Sequence, residues 1–233
     1  MNEPDARPGA TSKKGFKLPE VDPQRVRRAA RIFTALAKAY PDAHCELNYS
    51  SPAELLIATI LSAQATDVGV NKATPGLFAA FPTPGDYARA KPEDIEPYIS
   101  SIGLFRNKAK SVQQAMERIH TLHGDEVPRT MEELLALRGV ARKTANVVLG
   151  NAFDINLGVV VDTHVSRLSQ RLDLSQGGTP LAIERDLMAL FPRRKWTLLS
   201  HLLIFHGRKV CKARGGGCED DGICSRWGCC RES

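Results

Sequence analysis

The sequence predicts an all-α fold, and three observations carry that reading. Apolar residues recur at helical spacing along most of the chain. Prolines and small hydroxyl residues stand where the apolar runs begin or end. Strand-like alternation is nearly absent, with Val159-Val160-Val161 the one short candidate.

Residues 1 to about 22 hold Pro4, Pro8, Gly9, Gly15 and Pro19 with Lys13, Lys14 and Lys17, a composition that predicts a disordered basic arm. Such an arm suits contact with a polyanion or mere solubility. Val26, Ala30, Phe33 and Ala37 then mark a helix that Pro41 stops. Ser51 or Pro52 opens the next. Its run Leu55 to Leu61 is too apolar for a surface helix and is expected to be buried on most sides. A third segment covers Asp67 to Phe81, ended by Pro82 and Pro84. Short helices are expected over Pro84–Ala90, Pro92–Ser100 and Met131–Leu137, with a longer one from Arg106 to His123. Ala141–Phe153, Asp162–Leu172, Pro180–Phe191 and Arg194–Phe205 complete the series. No internal repeat appears, and no linker is long enough to separate independent domains.

The 233 residues suffice for one large domain or two modest ones. A net charge of +6 raises the expectation of a polyanionic partner, nucleic acid above all, and says nothing about fold. No run approaches the roughly 18 apolar residues of a membrane helix, and residues 1–17 lack the apolar core of a secretory signal. A cytoplasmic protein is expected. Five of the six cysteines, Cys211, Cys218, Cys224, Cys229 and Cys230, fall in the last 23 residues. So tight a group reads as a metal or iron–sulfur site, not a disulfide framework. Four thiolates serve zinc or a [4Fe–4S] cluster equally, so ligand count does not choose between them.

Two further motifs carry chemistry. In Leu137-Arg138-Gly139-Val140-Ala141-Arg142-Lys143-Thr144 a short helix ends, a glycine turns the chain, and a second helix begins. A helix N-terminus after a tight turn presents free N–H groups and a positive dipole end, which suits a phosphate. Lys143 falls in the first turn, where the dipole disfavours its ammonium and burial would disfavour it further. An amine so tuned is a nucleophile for Schiff-base chemistry; the plain alternative is a surface lysine. In Val161-Asp162-Thr163-His164, Asp162 takes an N-cap position. A carboxylate held there stays ionised and is able to stabilise a cationic sugar as well as cap a helix. His164 is a neighbouring polar group whose plainest role is structural.

With these stretches the chain resembles the endonuclease III family of the helix-hairpin-helix DNA glycosylase superfamily. The matching segments are Leu61 to Asp67, Val70 to Thr74, Ile102-Gly103-Leu104, Gly139 to Leu149 and Val161 to His164. The resemblance implies a two-lobed helical protein with DNA in the cleft between lobes. It divides the chain into the arm 1–22, a six-helix domain 45–155 with the hairpin, and a domain made of 23–44 plus 156–233 with the iron–sulfur loop. It implies base excision repair by a bifunctional enzyme that removes oxidised pyrimidines from duplex DNA and then cleaves the abasic product. Lys143 takes the place of the nucleophile and Asp162 that of its carboxylate partner.

Gln64 and Leu104 match the residues that enter the base stack; without the resemblance Leu104 reads as core. The DNA-facing hairpin covers Arg138, Gly139, Val140, Ala141, Arg142 and Thr144, with His164 nearby. The resemblance selects a [4Fe–4S] cluster on Cys211, Cys218, Cys224 and Cys230. A monomer acting at the nucleoid is implied.

Three departures from the family pattern stand out. Arg138 replaces a proline, which loosens the turn. Ala141 replaces a glycine, which makes any left-handed angle there costly. Three residues are inserted between Cys218 and Cys224, and Glu219, Asp220 and Asp221 are expected to loop outward. An altered hairpin motivates an alternative, a damaged-DNA binding protein with weak turnover. Electron transfer is a third class. Lys143 with Asp162 argues against the binding protein, since binding alone needs neither, and the long match outside the cysteines argues against electron transfer.

Overall fold

The computed structural model describes residues 17–214, 218 and 220–228; the greater part of the basic arm, Glu219, Cys229 and Cys230 lie outside these. In chain order the helices are α1 (Pro23–Ala39), α2 (Pro52–Leu61), α3 (Asp67–Ala80), α4 (Pro84–Arg89), α5 (Pro92–Ile99), α6 (Phe105–His123), α7 (Met131–Leu135), α8 (Arg142–Phe153), α9 (Thr163–Arg171), α10 (Pro180–Leu190), α11 (Trp196–Lys209) and α12 (Gly222–Trp227), with one 3₁₀ turn at Arg193–Lys195. The chain forms two compact units. One runs from Cys45 to Leu157, and the other joins the segment up to His44 to the segment from Gly158 onward.

In the unit from Cys45 to Leu157, α2 is the central helix, and every residue from Leu55 to Leu61 is buried. Full burial of each Leu or Ile contributes about 1.5–3 kcal/mol, so this run dominates the unit's core. The helix starts where it does because Ser51 caps it, accepting from the Glu54 N–H, while Pro52 needs no N–H at N1. The Glu54 carboxylate reaches back to the Ser50 N–H. Helices α3, α6 and α8 pack around α2. Helix α6 is bounded at both ends by left-handed residues, Leu104 and Gly124.

In the other unit, α1, α9, α10 and α11 enclose Ile32, Leu36, Leu168, Leu187, Leu199 and Leu203. Val159 and Val161 join that core, but no strand forms among the described residues. The Val160 N–H donates instead to Ser200 Oγ at 3.0 Å. β-Branched residues fit a strand only where a neighbouring strand offers its ladder, and here helix α11 supplies the partner. Helix α11 also runs past Phe205 to Lys209, and α12 was not foreseen. No helix among the described residues is long and apolar enough to cross a membrane.

Candidate functional site

The turn between α7 and α8 is built on one glycine. Gly139 holds φ at +78°, a region that glycine enters without penalty. A Cβ there would also stand 3.0 Å from Ser111 Cβ and 3.4 Å from Ile60 Cγ2, so the turn is pressed onto α6 and α2. Val140 is buried and its N–H donates to Leu137 O at 3.3 Å. Ala141 corrects one expectation: its φ of −96° and ψ of 171° are extended backbone, so alanine costs nothing there. Arg138, in place of a proline, is exposed and donates to Gln114 Oε1 at 2.9 Å, which ties the turn to α6.

Ala141 offers α8 no side-chain cap. Without such a cap, the first turn keeps the positive dipole end that suits a phosphate. Arg142 anchors that turn by donating to Leu157 O at 3.4 Å, and Thr144 is buried. Lys143 is exposed between them, so the burial invoked from sequence is missing in the free protein. Ala145, Val148 and Leu149 pin the opposite face into the core.

Asp162 is the N-cap of α9, and its Oδ1 accepts from the Val165 N–H at 2.8 Å. The carboxylate is half-buried. Its second oxygen is not used by that cap bond. His164, one residue into the helix, places Nδ1 at 3.3 Å from the Arg167 guanidinium, which also donates to Gly207 O and Cys211 O at 2.9 Å each. Lys143 belongs to one compact unit and Asp162 to the other.

Gln64 and Leu104 share an unusual backbone. Both are left-handed, at φ +55° and +60°, and neither is glycine. Leu104 is 60% exposed, so the core reading of it is wrong. An apolar side chain held outward on a strained backbone, at a cost of order 1–3 kcal/mol, is a feature that stability alone does not favour.

The sulfur atoms of Cys211, Cys218 and Cys224 lie within 4.8 Å of one another. Cys230 falls outside the described residues. Such soft, clustered donors fit an iron–sulfur or zinc centre. The Cys211 thiol is held down, to about 4, first by a hydrogen bond from Cys224 and then by the Arg171 guanidinium, against the effect of burial. Cys224, the donor of that pair when no metal is held, is pushed up correspondingly; as a metal ligand it would give up that proton and become a thiolate. Arg171 Nη1 lies 3.2 Å from Cys211 Sγ. Sequence reasoning missed Arg171, though it follows Arg167 by four residues, the spacing of one helix face.

Asp221 does not loop outward. It caps α12 by accepting from Ile223 N–H and Cys224 N–H at 2.9 and 2.8 Å, because those donors need a partner more than the carboxylate needs water. Asp220 is exposed as expected.

A family model for the HhH-GPD superfamily of base excision DNA repair proteins matches residues 57–193. This chain belongs to the HhH-GPD superfamily. Within it, the chain is 54% identical to the endonuclease III of Synechocystis sp. over 188 residues, 81% of this chain and 86% of that protein. It is 44% identical to the endonuclease III of Bacillus subtilis, over 83% of this chain and 87% of the relative. Among solved structures, a trapped endonuclease III–DNA covalent intermediate is similar with a TM-score of 0.80 and 43% identity, covering 85% of this chain and 93% of that one. A non-covalent endonuclease III–DNA complex is similar with a TM-score of 0.82 and 42% identity, covering 87% and 94%. The HhH-GPD match spans the hairpin, Lys143 and Asp162 together.

Proposed function

We propose that this chain is a bifunctional DNA glycosylase and abasic-site lyase of base excision repair, acting on oxidised pyrimidines in duplex DNA. The observation that carries the reading is Lys143, placed in the uncapped first turn of α8 directly after the Gly139 hairpin. A helix end of this kind binds a phosphate, and a lysine one residue beyond it is positioned against the adjoining sugar. The 54% identity to an endonuclease III and the likeness to a trapped covalent complex of that enzyme support the chemistry.

In this reading the neutral Lys143 amine attacks C1′ of the damaged nucleotide, and the glycosidic electron pair leaves with the base. Asp162 stabilises the positive charge that develops on the sugar and accepts the ammonium proton. The amine nitrogen then expels the ring oxygen: the C1′–O4′ bond breaks, O4′ takes up a proton, and the resulting Schiff base acidifies the C2′ proton. Its removal drives β-elimination of the 3′ phosphate, and water then releases Lys143. An extruded base leaves a gap in the stack; Gln64 and Leu104, exposed and held in left-handed backbone, enter it. Arg138 to Arg142, Thr144 and His164 contribute phosphate and backbone contacts.

Cys211, Cys218, Cys224 and Cys230 hold a [4Fe–4S] cluster whose bonds tie the C-terminal loop together. The enzyme works as a monomer at the nucleoid in the cytoplasm. The two-domain division at 45–155 belongs to the same reading.

The test is borohydride trapping on an abasic duplex. The unmodified enzyme is expected to form a covalent adduct. Lys143→Gln should lose both adduct and nicking while still binding DNA, since phosphate contacts supply most of the affinity. An adduct formed by the variant would remove Lys143 from the role.

A further inference from the structure

His206 is wholly enclosed, at 0% exposure, near the C-terminal end of α11. Nothing in the glycosylase chemistry uses it. Its two ring nitrogens nevertheless both have partners. Nδ1 stands 2.8 Å from the Tyr40 hydroxyl, and Nε2 stands 3.2 Å from Cys224 Sγ. Asp221 Oδ1 is farther from Nε2, at 3.8 Å, and already accepts the two N–H groups of its cap.

The partners decide where the protons are. A cysteine that holds a metal is a thiolate and only accepts hydrogen bonds. Nε2 must therefore carry the hydrogen. Nδ1 then carries the lone pair, and Tyr40 must donate to it. The Tyr40 phenol is pushed up to about 12, by burial first and then by Asp221 and Cys224, so it keeps its proton.

We infer that Tyr40 and His206 form a relay, O–H to Nδ1 and Nε2–H to sulfur, that positions Cys224 as a cluster ligand and supplies a hydrogen bond to its thiolate. The relay joins three elements: the residue that ends α1, the end of α11, and the short helix α12. It also gives a reason for the burial of a histidine among Leu202, Leu203 and Phe205 of α11. Partners beyond the ligands orient a metal site and tune it, and hydrogen bonds to ligand sulfurs help set an iron–sulfur potential. The inference rests on the cluster reading above, and its test separates the two.

The full-length protein is purified without oxygen, alone and as His206→Leu and Tyr40→Phe. Iron content, the rate of iron loss to a chelator and the midpoint potential are measured, with helical circular dichroism to confirm folding. His206→Leu should release iron roughly 10–100-fold faster, with a lower potential, because the lost hydrogen bond had favoured the electron-rich state. Tyr40→Phe should shift both in the same direction by less. Release rates within twofold of the parent and an unchanged potential in the folded variants would overturn the relay. If His206→Leu does not fold, an unchanged Tyr40→Phe overturns it by itself. A parent protein that binds zinc, or no metal, would instead sink the cluster reading beneath it.

Discussion

Asp162 is both a helix cap and the proposed partner of Lys143, and Asp162→Asn separates the two roles. The cap rests on one bond, from the Val165 N–H to Oδ1 at 2.8 Å. An asparagine carbonyl accepts it about as well. What is lost is the negative charge at the N-terminus of α9, worth about 0.3–1 kcal/mol. For a chain of this length that lowers Tm by at most about 2–4 °C. Catalysis should respond very differently. An amide neither balances charge on the sugar nor takes a proton from the lysine, so single-turnover excision should fall roughly 10²–10³-fold, about 2.7–4 kcal/mol. Asp162→Ala adds loss of the cap, about 1 kcal/mol, with no greater loss of rate. The assay is base release and nicking on a duplex with one oxidised pyrimidine, beside thermal melts of all three proteins. A rate loss in Asp162→Asn below about tenfold, or losses that follow stability across both variants, would leave Asp162 as a cap alone.

Gly139→Ala should destabilise the protein by about 1–2 kcal/mol, from its φ of +78° and the nearby Ser111, and should weaken binding to abasic duplex. Normal chemical denaturation and normal binding would contradict the hairpin geometry. Leu104→Gly should leave stability unchanged or raise it by up to about 1 kcal/mol, because Leu104 is exposed at positive φ. Excision from duplex should meanwhile fall roughly tenfold or more, with nicking of single-stranded abasic DNA retained, since only a duplex has a stack to fill; equal losses on both substrates would refute the wedge. Cys230→Ser should lose the brown colour and bound iron and Cys229→Ser should keep both, and the reverse pattern would move the fourth ligand by one residue.

The helical fold was legible because its signals are local. Ser51, Pro52 and the unbroken run to Leu61 announce a capped, buried helix, and Thr163 to Arg171 follows its cap in the same way. The errors have one physical source, which is that tertiary surroundings decide what short segments do. Val159 to Val161 carries strand propensity with no strand to pair with. Helix α12 sits among cysteines, glycines and charges with no apolar period, and its Asp221 cap does much to start it. Leucine is a core residue by type, yet Leu104 faces solvent, and only the family likeness had set it apart. A sequence does not reveal which residue of a turn bears positive φ: Gly139 does, and Ala141 is extended, so the cost of a left-handed angle there never arises. Arg171 lies 40 residues before its cysteine partner and His206 lies 18 before its own, so no local pattern ties either to the cysteines.

Peptide mapping of the borohydride-reduced adduct tests the central claim most directly. The purified enzyme is trapped on an abasic duplex, digested, and sequenced by mass spectrometry without any substitution in the chain. The deoxyribose mass is predicted on Lys143, in the peptide that begins the α8 helix. The same mass on another lysine or on the N-terminal amine, with Lys143 unmodified, would contradict the account.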